Sequence, residues 1–320
     1  MDAALQEFHQ GGGTLVLPAV IGAAGDDARR RYVEFFTVSI RNANTRRAYG
    51  RAVGDFLAWA EARGLALETI TPVAVSAYIE CHPSAPPTVK QHLAAIRMMF
   101  DYLVTGGVLR VNPAAPVRGP KYSVRRGKTP VLTAPETREL LDAIDITTVI
   151  GLRDRALIAT MVYSFARVGA VTAMRVCDYR QKGKRWWLRL HEKGGKYHEV
   201  PVHHVAEEYL DAYIEAGGLE VSPLAPLWQT VAGRSGRLTG LALAPRDALA
   251  MVKGRAAACG LSREVCNHTF RATAITVYLQ NGGTLEKAAQ LAAHESTATT
   301  KLYDRRADEL DLGEVERIVI

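Results

Sequence analysis

The chain has 320 residues, enough for two domains, and its 48% hydrophobic and 23% charged residues are typical of a globular protein. The net charge of +7 suits a polyanionic partner, although charge alone does not identify one. The four cysteines form no C-x-x-C pair, and the uncharged stretch Gly11–Gly25 is too short to span a bilayer. These features exclude a zinc-binding or disulfide-rich class and predict neither a signal peptide nor a membrane segment.

The first 112 residues are predicted to be helical after a short arm. Residues 1–25 are rich in glycine, which predicts a flexible N-terminal arm with one short docked segment. Apolar residues at helical spacing then predict a small helical domain over 26–112. Its four helices are expected at Asp26–Ser39, from a cap at Asn44 or Thr45 to about Arg63, after Thr71-Pro72, and from about Pro87 to Val104. Its basic residues form either a solvated face or a phosphate-contacting face: Arg46, Arg47, Lys90 and Arg97.

A basic linker is predicted over residues 113–130. This stretch holds four prolines, five basic residues and no acidic residue. Its composition favours an extended connection, and its charge suits a path along a phosphate backbone, although a merely solvated linker has the same composition. The linker residues assigned to such contacts are Arg125, Arg126 and Lys128.

The second domain, over 131–306, is predicted to be mostly helical with one β-hairpin. Thr133 and Glu136 resemble a capping box at a helix start. Alternating residues predict two strands, Trp186–Leu190 and His198–Val202, around the turn 192–196. Residues 225–240 are predicted to be rich in loops. The predicted helices of this part are Arg153–Phe165, Val205–Ala216 and Pro245–Cys259.

Four side chains near the C-terminus suggest chemistry rather than structure: His268, Arg271, His294 and Tyr303. The first two stand three residues apart, so they share one face of a helix. The pattern predicts a helix over Arg271–Gln280, a stop at 281–283, a cap at Thr284, a helix over Leu285–Ala293, and a last segment over Thr297–Leu302. Each side chain taken alone is more often structural, but this helical hairpin brings two imidazoles, a guanidinium and a phenol into one pocket.

The order and spacing of these residues resemble the C-terminal signature of the tyrosine recombinases, the phage-integrase type of site-specific recombinase. In that family an H-x-x-R motif is followed, after about two dozen residues, by L-G-H and by a tyrosine nine residues further on. Arg167 stands where the family has its first arginine, after an apolar helix. The run 191–196, with Val200-Pro201 behind it, resembles the family's G-K-G-x-K turn, in which Lys193 matches the catalytic lysine. The resemblance covers roughly residues 26–306.

The resemblance implies a role for each matched residue. Arg167 and Arg271 would clamp the non-bridging oxygens of a phosphodiester, and His294 would bond one of them. His268 would accept the proton of the nucleophile Tyr303, which forms a 3′-phosphotyrosine. Lys193 would protonate the leaving 5′-oxygen. No metal and no cofactor is expected, and Glu192 and the pair His203-His204 are expected to be structural or solvated.

The chain departs from the family's pattern at four positions. The family usually has an acid three residues after its first arginine and a histidine after its second, where this chain has Ala170 and Ala272. Ala166 and Ala293 stand where glycines are expected before Arg167 and His294. The missing acid is expected to buttress the site in the family, so its absence bears on the reaction rate and on the independence from partners.

The resemblance predicts a two-domain DNA clamp, with a helical core-binding domain and a tyrosine-recombinase catalytic domain. Its partner would be double-stranded DNA with inverted core half-sites. The protein would be a monomer or weak dimer off DNA and a homo-tetramer on two sites, joined by the C-terminal tail 307–320, with no membrane association and a nucleoid-associated, cytoplasmic location. Related recombinases or directionality factors stay open as further partners. Two alternatives also stay open: a type IB topoisomerase, and a DNA-binding architectural or regulatory protein with a degenerate site.

Overall fold

A computed structural model describes residues 17–123, 127–192, 197–233 and 235–305 of the chain. They form two compact units, which divide after Ser123. The first unit is helical, and the second combines helices with two small antiparallel sheets. This architecture confirms the predicted fold class. Within the described ranges, no helix is long and apolar enough to cross a membrane.

Over residues 17–123, the first unit contains five α-helices, one π-helical turn and one 3₁₀ turn. The α-helices are α1 (Ala19–Ala23), α2 (Asp26–Glu34), α3 (Ala43–Glu61), α4 (Pro72–Glu80) and α5 (Pro86–Thr105). A π-helical turn over Phe35–Ser39 continues α2, and a 3₁₀ turn covers Leu67–Thr69. Helix α1 lies inside the span expected to be an arm with a docked segment, and its Ile21 is fully buried.

Local sequence explains where these helices begin and end. The Asn42 side chain accepts hydrogen bonds from the backbone N–H groups of Asn44 and Thr45, at 3.0 and 3.1 Å, so Asn42 caps α3. The predicted cap at Asn44 or Thr45 was therefore wrong by two or three residues. Thr71 caps α4 ahead of Pro72, as expected for proline in a first turn. Gly64, with a φ of 66°, follows α3 in the left-handed conformation that favours glycine.

Aliphatic and aromatic side chains form the core of the first unit, which includes the faces where α3 and α5 meet. The Phe56 ring meets Phe100 edge to face, with centroids 6.0 Å apart. Ala114 and Val117, inside the span expected to be linker, are buried in the same core. The chain after α5 is thus packed on the helices as far as residue 117.

The second unit contains eight α-helices and five strands within the described residues. The helices are α6 (Ala134–Asp142), α7 (Val149–Ser164), α8 (Val168–Thr172), α9 (His204–Gly217), α10 (Pro245–Ala258), α11 (Asn267–Gln280), α12 (Leu285–Leu291) and α13 (Thr297–Lys301). The strands are β1 (Tyr179–Lys182), β2 (Arg185–His191), β3 (Tyr197–Pro201), β4 (Gln229–Val231) and β5 (Leu238–Ala242). A 3₁₀ turn covers Val176–Asp178.

The three-stranded sheet contains the predicted hairpin and one strand that was not predicted. Strands β2 and β3 pair antiparallel, with Leu188 opposite Val200, so both apolar side chains face the core. Strand β1 adds to the other edge of β2 and places Tyr179 opposite Leu188. Residues 193–196, where the turn and Lys193 were predicted, lie outside the described residues.

The buried helix α7 forms the centre of the second unit and packs against α9 and α11. Most of the residues of α7 are buried, so the helix is enclosed on all its faces, as predicted for an apolar helix. The predicted capping box starts α6, since Thr133 and Glu136 bond each other's backbone N–H groups. Helix α7 ends at Ser164, and the next residue, Phe165, has a φ of 57° that turns the chain sharply toward Arg167.

Candidate active site

Helix α11 presents two of the predicted residues in its first turns. It begins at Asn267, four residues earlier than predicted, so His268 and Arg271 lie on one helix and one face. The Arg271 side chain is 1% exposed. It donates through Nη1 to the carbonyl of Phe165 and through Nη2 to the carbonyl of Ala292. This guanidinium therefore joins the end of α7 to the end of α12.

The segment after α12 brings His294 and Tyr303 to the same place. Thr284 caps α12 as predicted, and Ala293 then adopts a φ of 47°. The Nδ1 atom of His294 lies 2.8 Å from the hydroxyl of Thr300, which is fully buried on α13. The carbonyl of Tyr303 accepts a hydrogen bond from the hydroxyl of Thr276 at 3.0 Å.

The Tyr303 phenol is enclosed by the two histidines. Its hydroxyl lies 2.7 Å from Nε2 of His268, within hydrogen-bond distance. Its ring lies nearly parallel to that of His294, with centroids 6.1 Å apart and planes at 10°. The residue is only 9% exposed. The Nε2 atom of His268 is therefore placed to accept the proton of the Tyr303 hydroxyl.

Burial and two arginines set the charge state of the site. Burial lowers the pKa of His268, and the positive charges of Arg271 and Arg167 lower it further. The same effects lower the pKa of His294 to about 4. Burial raises the pKa of Tyr303, against the opposite effect of the arginines. Near neutral pH the site thus holds a neutral imidazole next to a protonated phenol.

Arg167 lies at the mouth of the site. It follows the end of α7 and precedes α8, and its Nη1 donates to the Glu192 carboxylate at 2.8 Å. Together with His268 and Glu192 it lines a cavity of about 640 Å³. Burial lowers the pKa of Arg271 to about 10, and the charge of Arg167 adds to that effect. The charge of Arg167 at the cavity therefore acts on the buried guanidinium of Arg271.

The structure brings five of the six predicted catalytic residues into one site: Arg167, His268, Arg271, His294 and Tyr303. The sixth, Lys193, lies outside the described residues, although both strands that lead to it are anchored. At the end of β2, His191 Nε2 lies 3.1 Å from the Asp178 carboxylate. At the start of β3, His198 Nε2 lies 3.0 Å from the carbonyl of Leu291 at the end of α12.

Glu192, which is expected from sequence to be structural or solvated, lies next to Arg167 at the mouth of the site. Its side chain is 8% exposed and forms an ion pair with Arg167. The available signal was the presence of an acid directly before Lys193 in the hairpin. By contrast His203 has an evident structural place, because it stacks on Tyr163 with centroids 4.1 Å apart and caps α9.

The residues suggested for DNA contacts fall into three groups. Arg46 donates to the carbonyl of Ile40, and Arg97 donates to the carbonyls of Ala114 and Val117. These two guanidiniums hold backbone segments of the first unit. Three of the residues are exposed: Arg47, Lys90 and Lys128. The remaining two, Arg125 and Arg126, lie outside the described residues.

Comparison with known proteins identifies the family. Residues 130–309 match the phage integrase family, and residues 31–107 match the phage integrase N-terminal SAM-like domain. The tyrosine recombinase XerC of Myxococcus xanthus is 30% identical over 223 residues, which cover 68% of this chain and 71% of that protein.

Two solved structures share the fold. The XerH site-specific recombinase bound to a palindromic difH substrate superposes with a TM-score of 0.67 at 19% identity, covering 85% of this chain and 78% of that one. A lambda integrase tetramer bound to a Holliday junction gives a TM-score of 0.62 at 20% identity, covering 95% and 86%. The family match extends over more than half of the chain and includes the whole described site around Tyr303. The chain therefore belongs to the phage integrase family, the tyrosine recombinases.

Proposed function

We propose that the protein is a site-specific DNA recombinase that cuts and rejoins DNA through a phosphotyrosine at Tyr303. The observation that carries the proposal is the 2.7 Å contact between the Tyr303 hydroxyl and His268 Nε2, next to the buried guanidinium of Arg271. The similarity to a XerC recombinase favours this function over a type IB topoisomerase or a degenerate DNA-binding protein.

Electrostatics support phosphoryl transfer at this pocket. A phosphodiester under attack gains negative charge on its non-bridging oxygens, and guanidiniums stabilise that charge. Burial lowers the pKa of Arg271 only to about 10, so Arg271 stays charged at neutral pH. Arg167 would bind the same phosphate from the cavity side, and His294 would donate to one of its oxygens.

The proton transfers balance across the reaction. His268 takes the proton of the Tyr303 hydroxyl as the phenol oxygen bonds to phosphorus. The bond from phosphorus to the 5′-oxygen breaks with its electron pair on that oxygen, and Lys193 supplies the proton the oxygen needs. The product is a 3′-phosphotyrosine and a free 5′-hydroxyl. Rejoining reverses these steps with the hydroxyl of another strand, so the bond energy is conserved.

Assembly on DNA is the finer part of the proposal. Two domains joined by the basic linker would hold duplex DNA, and four protomers would act on two sites with inverted half-sites. The lambda integrase tetramer on a Holliday junction, which shares the fold, supports this arrangement. Tail 307–320 would dock on a neighbouring protomer. A suitable surface is the largely apolar groove of about 670 Å³ lined by residues that include Leu141, Val162, Phe165, Val277 and Leu291.

Covalent trapping tests the proposed function. A nicked substrate that loses the short strand after cleavage should accumulate a protein–DNA adduct that protease removes. Tyr303→Phe should bind the same DNA with unchanged affinity and form no adduct, since the attacking oxygen is gone. Tyr278→Phe removes a hydroxyl from the same helix as His268 and should form the adduct like the parent protein. An adduct in the Tyr303→Phe variant would contradict the assignment.

A further inference from the structure

Glu192 forms an ion pair that the reaction outlined above does not require. Its carboxylate lies 2.8 Å from Nη1 of Arg167, with 8% of the Glu192 side chain exposed against 44% of the Arg167 side chain. Burying a carboxylate costs free energy unless a charged partner compensates it. The carboxylate is thus held inside the protein while the arginine reaches the pocket.

The cavity next to Arg167 has one carboxylate among the described residues that line it, and this is Glu192. Ala170 lies one turn after Arg167 on α8 and lines the same cavity, but its methyl group accepts no hydrogen bond. Ala170 is also only 4% exposed, so this residue is buried within the protein. On this side of the site, the carboxylate that restrains Arg167 comes from the hairpin and not from α8.

The sheet fixes where this carboxylate stands. Glu192 directly follows β2, whose last residue His191 pairs with Tyr197 of β3. The His191 ring lies 3.1 Å from Asp178, a buried carboxylate that also accepts from the backbone N–H of Arg175. The backbone next to Glu192 is therefore tied to the turn before β1, which makes the ion pair part of a defined structure.

We propose that Glu192 is a positioning residue that holds the Arg167 guanidinium in the orientation needed for phosphate, a role that rests on the proposed recombinase function. The bond engages one terminal nitrogen, and a guanidinium carries five N–H donors in a planar fork. Donors not used by Glu192 stay available to the non-bridging oxygens. The carboxylate also offsets the repulsion between Arg167 and Arg271 before DNA binds.

This role predicts opposite effects on the chemical step and on binding. Without the carboxylate, Arg167 loses its fixed orientation, and misplacement of a group that contacts the reacting phosphate slows the reaction by roughly tenfold to a hundredfold. DNA binding should stay the same or become tighter, because a negative charge next to the phosphate is removed. If Glu192 instead blocks the site as a competitor of phosphate, its removal should speed up cleavage.

The test is single-turnover adduct formation on the nicked substrate, with saturating protein, for Glu192→Gln. The expected result is a tenfold or larger fall in the cleavage rate with unchanged or lower Kd. Glu215→Gln, which removes one exposed carboxylate from α9, serves as the matched charge control and should cleave like the parent protein. Unchanged or faster cleavage by Glu192→Gln would overturn the proposal.

A second variant separates positioning from folding. Adding Ala170→Glu to Glu192→Gln places a carboxylate three residues after Arg167 on α8, within reach of the same guanidinium. This double variant should recover most of the lost cleavage rate. Because position 170 is buried, the thermal unfolding midpoint of the double variant is measured as well. In a double variant as stable as Glu192→Gln, a loss of cleavage that is not recovered would assign Glu192 a purely structural role and contradict the proposal. Adduct formation by the parent protein is the reference, so its absence would instead refute the proposed function itself.

Discussion

At Tyr303 two physical effects act on the phenol in opposite directions. Burial raises its pKa, while the charges of Arg271 and Arg167 favour the phenolate. The effect of burial is larger than that of the arginines, so the phenol is protonated near neutral pH. A base is therefore needed to take its proton during attack. His268 fits because the same burial and charges lower its own pKa and keep it neutral.

The pH dependence of cleavage follows from His268. The pKa of His268 lies below the ordinary value of 6.5. The imidazole therefore stays mostly neutral down to pH 6.5 and becomes protonated only in more acidic solution. At protein concentrations well below the Kd for DNA, the second-order rate of adduct formation should therefore stay constant from pH 8 to about 6.5. The rate should fall in more acidic solution. The measurement is the second-order rate against pH. A rate that already declines from pH 8 to 7 would contradict a depressed pKa at His268.

Lys193 can be tested by changing the leaving group. Lys193→Ala should cleave ordinary DNA slowly, by a factor of about 10² to 10⁴ for loss of a general acid. A substrate with sulfur in place of the 5′-bridging oxygen should restore the rate, because sulfur leaves without a proton. An equal deficit on both substrates would show that Lys193 does not act as the acid.

At the scale of elements, long periodic segments were predicted well and short ones were not. Helix α7 is a long apolar run, and the residues of β2 and β3 alternate on either side of a glycine-containing stretch, which explains why sequence alone located them. Strand β1 has four residues, of which Arg180, Gln181 and Lys182 are polar, so only pairing with β2 reveals it. The start of α11 was placed at Arg271 because the polar residues 267–269 before it carry no apolar periodicity.

The candidate site was predictable for a different reason. The spacing of His268, Arg271, His294 and Tyr303 is encoded within one stretch of the chain. The partnership of Glu192 with Arg167 joins residues 25 apart on different elements, and no local pattern encodes it. The strained backbone at Ala293 was visible only as a departure from an expected glycine.

Ala293 offers a test of that strain. Its φ of 47° is a left-handed conformation in which an alanine side chain costs about 1–2 kcal/mol. Ala293→Gly should therefore raise the free energy of unfolding by about 0.5–1 kcal/mol, after the entropy that glycine adds to the unfolded chain. Ala166→Gly, at the other position where the family pattern has glycine, lacks a positive φ and should lower stability. Urea unfolding of both variants measures the difference, and destabilisation by Ala293→Gly would contradict the strain.

At the scale of the whole molecule, the two units have separate cores, and each matches a separate part of the family pattern. The basic residues proposed to contact DNA are harder to single out from sequence than the residues gathered around Tyr303. A basic side chain can contact a phosphate, but it can also donate to backbone carbonyls within the protein, as Arg46 and Arg97 do. Charge pattern alone does not distinguish the two uses.

The proposed docking of tail 307–320 predicts a defect in assembly only. A chain that ends at Asp308 should still bind one half-site but lose cooperative binding to the full site. Coupling between two binding events typically raises the affinity of the second about 5- to 150-fold, and this gain should disappear. In the full chain, Ile318→Asp should behave like the truncation and Glu316→Gln like the parent protein. Gel-shift titrations on half and full sites measure the coupling. Unimpaired cooperativity and recombination in the truncated protein would show that the tail is dispensable.

The central claim is that Tyr303 itself becomes joined to DNA. The most direct measurement is mass spectrometry of the trapped adduct after digestion of the protein and the DNA. We predict a nucleotide linked through its 3′-phosphate to the peptide that contains Tyr303. A nucleotide on any other residue, or a linkage through a 5′-phosphate, would contradict the account.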